Sequence, residues 1–349
     1  MNQLPNLTQL RFFLASLVIL FHMAEFCKSR GFPYYDGLSI FFKGTEAVYV
    51  FFALSGFLII RNLIQEKTKT NTINLKQFYR NRILRIFPLY YLILFFGFVY
   101  YNFIIQLFGY SNDSDYNLLK GLFLGITLFA NILATFKPGG ILEILWSIAI
   151  EEQFYLFVAP IFLLINKNNI LKFLILFTII YFIIYHIPVL ELFRKYSMLF
   201  YYFSAGGVFS YISLFSRFKI NNYLKAIILI LFITLLTTDF FVKSLDTLFY
   251  HLICTVIFSS SIYILSLQPY KFLNNSLLKH LGKISYGLYM YHAIVFQVLG
   301  FVFLKFTHLN SNLFIILFYS LVFILTIVVS AISYKYFEKP FLKLKIKSI

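Results

Sequence analysis

The stretch LTQLRFFLASLVILFHMAEFC, residues 7–27, decides which kind of fold this chain can have. About 20 apolar residues are enough for a helix to cross a bilayer, and this stretch reaches that length. Arg11 and His22 interrupt it eleven positions apart, and at 100° per residue that spacing returns both to nearly the same helix face. They lie roughly 16 Å apart along the axis, and Glu25 falls close to the same face. Polar groups on one stripe of a spanning helix predict a functional path through the protein interior.

A plainer interpretation of the same helix also stands. Arg11 could extend its charged end to the lipid headgroups, and His22 could be a hydrogen-bonded core residue.

The composition indicates a polytopic membrane protein. Hydrophobic residues make up 60% of the chain, aromatic residues 21% and charged residues only 12%. The apolar runs are too long and alternate too little for the strands of an outer-membrane barrel. Helices are then the only way to satisfy the backbone in lipid. We therefore expect an all-α bundle forming one integral membrane domain over 1–349, with no cleavable signal peptide and no fused soluble domain. Cys27 and Cys254 are isolated, so neither a disulfide framework nor a metal site is predicted.

Positive charge orients the predicted bundle. A shorter apolar segment, 120–136, is interrupted by two glycines and an asparagine. If this segment does not span and the N-terminus is cytoplasmic, most of the 30 Lys and Arg face the cytoplasm. The net charge of +17 is thus explained by topology, and no nucleic-acid partner is predicted. We expect about ten spanning helices with both termini inside, and 120–136 as a re-entrant or outer-face segment. The candidate spans are 8–27, 45–61, 84–107, 148–166, 170–187, 198–215, 224–242, 248–267, 286–304 and 313–337.

The largest basic cluster lies in the predicted 61–85 loop, which ends in FYRNRILRIFP. Arg80, Arg82 and Arg85 precede Pro88, which we expect to fix the start of the third span. Guanidinium groups bind phosphate in bidentate fashion, so the cluster suits a phosphorylated ligand. A juxtamembrane belt that binds anionic lipid is the alternative.

The segment WSIAIEEQFYLFVAP, residues 146–160, opens the fourth span on the predicted outer side. Its adjacent carboxylates, Glu151 and Glu152, diverge by 100° on a helix, so only one can face a given site squarely. Glu151 and Tyr155 share a face. The alternative is an interfacial segment in which Trp146 and Tyr155 are belt aromatics.

Four further polar residues lie in apolar surroundings. Ser55 with Gly56 predicts close helix packing in the second span. Ser285 and His292 lie in the ninth span, where we interpret His292 as a hydrogen-bonded core residue. Glu338 is the single acid of a basic segment after the last span, which suggests a structural ion pair.

Taken together, these motifs resemble the acyltransferase-3 family of integral membrane acyltransferases. The resemblance runs from Leu7 to about Phe341. It rests on six motifs in order: Arg11 with His22, FFALSGFLI, FYRNRILRIFP, WSIAIEEQFYLFVAP, ISYGLYMYH and YFEKP. Small departures occur at Asn81, where a further Arg is common, and at Ile148 and Ala149.

The resemblance implies transfer of an acyl group, most often acetyl, from cytoplasmic acyl-CoA to a sugar hydroxyl. The acceptor would be a cell-surface glycan (O-antigen, capsule or exopolysaccharide) or a lipid-linked sugar, and the chain would lie in the bacterial inner membrane. Acetyl-CoA would be a co-substrate, with no permanently bound cofactor. The family pattern suggests that the donor phosphates bind Arg11, Arg80, Arg82 and Arg85. His22 would be the general base and would meet the acceptor on the outer side with Glu151 and Glu152. Glu25 or Glu151 would support the imidazole.

Two other classes of function remain open on residue chemistry alone. In a glycan or lipid transporter, or in a polysaccharide polymerase, the polar stripe would line a translocation path. A non-catalytic scaffold would leave the ordered polar motifs unexplained. Only acyl transfer requires a thioester donor, so a glycan modification that depends on such a donor would exclude both the transporter or polymerase and the scaffold.

Overall fold

A computed structural model describes residues 4–109, 116–216, 220–306 and 308–346 of the chain. Every regular element among these residues is helical, which confirms the predicted all-α class. The helices, numbered in chain order, are α1 Leu7–Ser29, α2 Gly44–Thr70, α3 Leu75–Val99, α4 Ile105–Leu107, α5 Leu118–Ile126, α6 Ala130–Ala134, α7 Gly140–Glu143, α8 Trp146–Leu164, α9 Ile170–His186, α10 Glu191–Lys195, α11 Phe200–Phe215, α12 Asn222–Thr237, α13 Phe240–Ser244, α14 Thr247–Leu267, α15 Ser276–Lys283, α16 Ser285–Phe303, α17 Ser311–Ser333 and α18 Lys339–Lys343.

Short turns of other helical types complete the fold. Two π-helical turns join α3 to α4 and α17 to α18, namely Tyr100–Ile104 and Tyr334–Glu338. The 3₁₀ turns are Ser39–Phe42, Lys167–Asn169, Pro188–Leu190 and Leu304–Phe306.

The predicted spans coincide with helices. Within the described residues, eight helical segments are long and apolar enough to cross a membrane, and nine if the broken pair 188–195 and 200–215 counts as one. The remaining predicted span, 224–242, corresponds to α12, which has 16 residues. Its length is short of the ~20 residues that a perpendicular span needs. The chain is thus a multi-pass membrane protein with about the predicted number of helices.

The bounds of the second and third spans were predicted too narrowly. α2 continues to Thr70, and α3 begins at Leu75 rather than at 84. Arg80, Arg82 and Arg85 therefore lie inside α3, and Pro88 lies in its interior instead of at its start. Lys, Arg and Gln favour helix as well as most apolar residues do, so the helix continues where hydropathy falls. The side chain of Asn74 caps α3 by accepting the amide of Gln77 at 3.0 Å.

The segment 120–136 forms α5 and α6, which have nine and five residues. Neither is long enough to span, as predicted. Side chains from α3 and α8 hold the segment: Tyr90 Oη donates to Gly125 O at 2.8 Å, and Gln153 Nε2 donates to Leu128 O at 2.9 Å. Leu128 has a φ of 63°, which marks the sharp turn between the two helices.

The described residues group into two compact units. The first comprises 1–62, 171–179 and 201–331, and the second comprises 63–170, 180–200 and 332–349. A single domain over 1–349 stays a prediction. In the first unit α1 packs along α15 and α16. Its start is fixed by Asn6, whose amide donates to Leu265 O and to Gln268 O, both at 2.8 Å.

Glycines allow α2 and α11 of the first unit to cross at close range. A Cβ at Gly56 of α2 would overlap the backbone of Phe203 in α11. A Cβ at Gly206 of α11 would likewise overlap the carbonyl of Ala53. The two helices therefore touch backbone to backbone, which confirms the packing predicted for Ser55-Gly56.

In the second unit α3 and α8 run in opposite directions. Lys67, at the end of α2, donates to Leu163 O near the end of α8, and Tyr79 Oη donates to Leu156 O, each at 2.8 Å. Farther along α3, Gly97 packs against Leu142 of α7. This arrangement brings the arginine-rich part of α3 beside the glutamates of α8.

Candidate active site

Two histidines form the centre of the polar residues in the first unit. The rings of His22 on α1 and His292 on α16 stack with centroids 5.3 Å apart and planes 29° apart. Phe21 and Phe296 pack against the pair. His292 is fully buried, and neither of its ring nitrogens has a hydrogen-bond partner among the described residues. The backbone carbonyls of Leu288 and Tyr289, one turn earlier on α16, are the polar groups that act on the ring. His292 is thus a core residue, and its predicted hydrogen bond stays a prediction.

The other candidates of the first unit differ in how deeply they are buried. Arg11 is half-buried on α1. Glu25 is exposed and makes no hydrogen bond or ion pair with a described residue. Ser55 is half-buried beside the α2–α11 crossing, and Ser285 is buried at the start of α16. The stripe on α1 is thus half-buried at Arg11 and His22 and exposed at Glu25.

A buried ion network in the first unit was missed by sequence reasoning. Lys43 is only 3% exposed, and its Nζ lies 3.0 Å from Glu46 Oε1 and 2.9 Å from Asp239 Oδ1. Tyr250 Oη also donates to Glu46 at 2.9 Å. Burial opposes the charge of Lys43, but hydrogen bonds and charges from Asp239 and Glu46 outweigh it and raise its pKa. Hydrogen bonds from Lys43 and then Ser39 lower the pKa of Asp239. The sequence feature that could have revealed this network is the i,i+3 spacing of Lys43 and Glu46 at the start of the second span.

A third histidine lies close to this network. His251 is buried on α14, and its Nδ1 lies 3.2 Å from Tyr201 Oη and 3.0 Å from Tyr202 Oη. Tyr49 stacks on Tyr202 with centroids 4.9 Å apart. Unlike His292, His251 is held by hydroxyl groups, which suits a structural role.

In the second unit the arginines of α3 meet the glutamates of α8. The guanidinium of Arg82 lies over the ring of Tyr155 at 5.8 Å from its centroid. The Tyr155 hydroxyl donates to the carboxylate of Glu151, which confirms that the two side chains share a helix face. Trp146, half-buried, is the first residue of α8.

Glu152 is the most buried acid of this group. It is 5% exposed, and its Oε1 has no hydrogen-bond partner among the described residues. Glu151 and Arg82 are the charged groups that act on it. The sequence placed Arg82 and these glutamates at opposite sides of the membrane. In the structure they form one cluster, because α3 begins earlier than predicted and carries Arg82 about two turns into the helix.

A second basic group lies where α3 meets the end of the described chain. Glu338, buried in the π turn after α17, accepts a hydrogen bond from Ser333 Oγ at 3.4 Å, and Arg85 is the charge acting on it. Arg80 Nη2 donates to Leu344 O at 3.4 Å. Nothing in the sequence predicts this contact, since 264 positions separate the two residues.

The fold and these clusters define a class before any comparison. The eight or nine apolar helices among the described residues form a polytopic integral membrane protein, and titratable groups buried within such helices are typical of a functional interior. Residues 4–335 match the model of the acyltransferase-3 family, described as an acyltransferase domain. The chain belongs to that family and is a multi-pass membrane acyltransferase, as its motifs predicted.

Curated relatives agree with this assignment. The chain is 29% identical over 314 residues to the "Putative acetyltransferase ORF330" of Acidianus two-tailed virus, an alignment that covers 86% of each protein. It is 25% identical to the "Putative O-acetyltransferase SACOL0978" of Staphylococcus aureus strain COL, over 100% of this chain and 59% of that protein. The chain thus spans about three fifths of the staphylococcal relative's length. No solved structure matches the chain significantly.

Proposed function

We propose that this chain is an O-acyltransferase that moves an acyl group, most simply acetyl, from cytoplasmic acyl-CoA to a sugar hydroxyl of a cell-surface glycan. The family supports acyl transfer, and the staphylococcal relative's name supports oxygen as the accepting atom. The inner membrane of a bacterium, with both termini in the cytoplasm, is the location that fits a cytoplasmic donor and an external acceptor.

The observation that carries the proposal is the His22–His292 pair. The ring of His22 stacks on the fully buried ring of His292, which holds His22 at a defined angle. Neither nitrogen of His22 is used in a hydrogen bond with a described residue. A neutral imidazole can then accept a proton near pH 7.

In the proposed reaction the acyl group moves in one step, with His22 carrying the proton. His22 takes the proton of the sugar hydroxyl, and the oxygen attacks the thioester carbonyl carbon. The carbon–sulfur bond breaks, and the departing thiolate takes the proton back from the imidazolium. A sugar ester and free coenzyme A result. Transfer through an acyl-histidine intermediate is the variant of this scheme that leaves the same products.

The second unit supplies the anion-binding chemistry. Arg80, Arg82 and Arg85 lie on adjoining turns of α3, and bidentate guanidinium–phosphate pairs would hold the donor nucleotide. Glu151 accepts the hydrogen bond of the Tyr155 hydroxyl and so orients the tyrosine ring over which Arg82 lies. Arg11 of the first unit is the remaining donor candidate. Glu25, Glu151 and Glu152 are the candidates for supporting the imidazolium, and single Gln variants separate them.

The test is proton NMR of surface glycan from cells that lack the protein. The cells are complemented with the intact chain, with His22→Ala, or with His280→Ala, at matched membrane levels. His280 is exposed on α15 and serves as the control. We expect an O-acyl signal with the intact chain and with His280→Ala, and none with His22→Ala. Full acylation by His22→Ala would refute the role of His22. If glycan length or export depends on the chain but acylation does not, transport or polymerisation replaces the proposal.

A further inference from the structure

The segment 344–346, which follows α18, is bound to the side of α3. Asn81 exchanges two hydrogen bonds with the backbone of Ile346: its Nδ2 donates to the carbonyl at 2.9 Å, and its Oδ1 accepts the amide at 3.1 Å. Arg80 holds Leu344 O on the other side. The residues flanking Lys345 are therefore fixed to consecutive positions of α3, and Lys345 is held between them.

The position of Lys345 is electrostatically unfavourable. Its side chain is half-buried, and the charges that act on it are Arg85 and Arg82. Burial, followed by these two guanidinium groups, lowers the pKa of Lys345 to about 7. Of the other charged groups here, Arg80 is a third cation of α3, Lys343 is exposed, and Glu338 is occupied with Ser333 and Arg85.

Three hydrogen bonds hold this segment where like charges repel it. Such an arrangement becomes favourable when an anion with several charges lies among the cations, because each repulsion is then offset by an attraction. A lipid phosphate and the phosphates of a nucleotide share the required chemistry. Three cations held close together fit the several charges of a nucleotide better than the single charge of a common anionic lipid.

We infer that Lys345 is a third cationic contact, beside Arg82 and Arg85, for the phosphate groups of the acyl donor. The inference rests on the proposed function, since it assumes that acyl-CoA binds at α3. It assigns a donor-binding residue outside the six motifs, and it gives Asn81 the role of holding the segment that carries this residue.

Donor binding should then be coupled to proton uptake. At pH 8 Lys345 is mostly neutral in the free protein, since its pKa is about 7. A phosphate beside it favours the ammonium form, so binding takes up a proton. Affinity should fall as the pH rises above 7, by up to about tenfold per pH unit.

The experiment uses the purified chain in phosphatidylcholine nanodiscs, with coenzyme A as the probe. Calorimetry at pH 8 in two buffers of different ionisation enthalpy measures affinity and proton uptake together. Lys345→Ala should weaken binding about tenfold, the loss of one charged contact of roughly 1.4 kcal/mol. Lys343→Ala, on the same segment, should change it less than about twofold. Lys345→Arg should bind coenzyme A at least as tightly at pH 8 but abolish proton uptake, because Arg remains charged at every pH tested. Asn81→Ala should reproduce part of the loss.

Three outcomes would overturn the inference. The first is equal binding by Lys345→Ala and Lys343→Ala, with proton uptake intact; the proposed function would then survive without Lys345. The second is proton uptake that appears on adding phosphatidylglycerol to the discs without coenzyme A, and that Lys345→Ala removes; the anion would then be a lipid headgroup. The third is no binding of coenzyme A by the intact chain, which would refute donor binding itself and with it the proposed function.

Discussion

Replacing Lys43 by Met should strongly destabilise the first unit, because it removes the buried cation of the ion network with Glu46 and Asp239. The ammonium lies about 3 Å from both Glu46 and Asp239, and the Glu46 side chain is only 9% exposed. Without Lys43, Glu46 becomes a buried carboxylate with a second acid nearby. Breaking a buried ion pair by removing one partner costs about 3–5 kcal/mol. At the 2–4 °C per kcal/mol of a medium-sized domain, the thermal midpoint should fall by roughly 10 °C.

Lys243→Met is the matched control. Lys243 pairs with the same Asp239 at 3.7 Å, but its side chain is 77% exposed. Exposed pairs contribute about 0–1 kcal/mol, so the midpoint should move by no more than a few degrees. Combining Lys43→Met with Glu46→Gln should restore part of the loss, because the amide keeps the hydrogen bond from Tyr250 without a buried charge.

The effect of Lys43→Met should depend on pH. The pKa of Asp239 is lowered in the fold, so its contribution is present above the unfolded value near ~3.9 and is lost as pH falls through the folded value. The pKa of Lys43 is raised, so its contribution persists below about pH 10.4 and is lost above the folded value. Thermal unfolding in detergent at pH 7 and pH 3 tests this. The gap between intact and variant protein should narrow at pH 3. Equal midpoints for Lys43→Met and Lys243→Met at pH 7 would refute the reasoning.

Three further predictions concern packing and the two clusters. Gly56→Leu should lower the thermal midpoint by more than 5 °C, since overpacking against backbone costs about 1–3 kcal/mol or more. Gly140→Ala is the control and should change the midpoint little, because no atom lies nearer than 4.0 Å to the added Cβ. Tyr155→Phe should lower the rate of acyl transfer about tenfold, the value of one hydrogen bond to a charged group, without changing the amount of folded protein; unchanged kinetics would exclude the hydroxyl from the site. His292→Phe should preserve folding, because an aromatic ring still stacks on His22, but it should reduce transfer and shift its pH profile; a wild-type profile would show that His22 acts without its neighbour.

Relations within one helix were predictable from the sequence, and relations between helices were not. Glu151 and Tyr155 are four positions apart, so helix geometry alone placed them together. The stacking of His22 on His292 joins residues far apart in sequence, and nothing in either motif fixes that packing. The same holds for Lys43 and Asp239, which belong to none of the motifs and lie far apart in sequence.

The misplaced helix bounds had a different cause. Hydropathy reports the apolar length of a segment, but a helix continues as long as its residues favour helix and its caps are satisfied. The region 61–85 reads as a polar loop, yet Lys, Arg, Gln and Glu are good helix formers, and only 71–74 leave the helical conformation. This difference moved Arg82 into the interior of α3 and changed which side chains it meets.

The π turn at Tyr334–Glu338 has a consequence for how the last helix can vary. A π turn holds one more residue in its hydrogen-bonded ring than an α turn, so it behaves as a one-residue insertion absorbed within a continuous helix. Deleting one residue there should restore regular α-helix and leave the segment that follows facing nearly the same way. A deletion in the regular part of α17 should instead rotate that segment by about 100°, so that Lys345 would point away from Arg82 and Arg85. The wide turn is therefore a place where this helix can lose a residue without moving the segment that lies against α3.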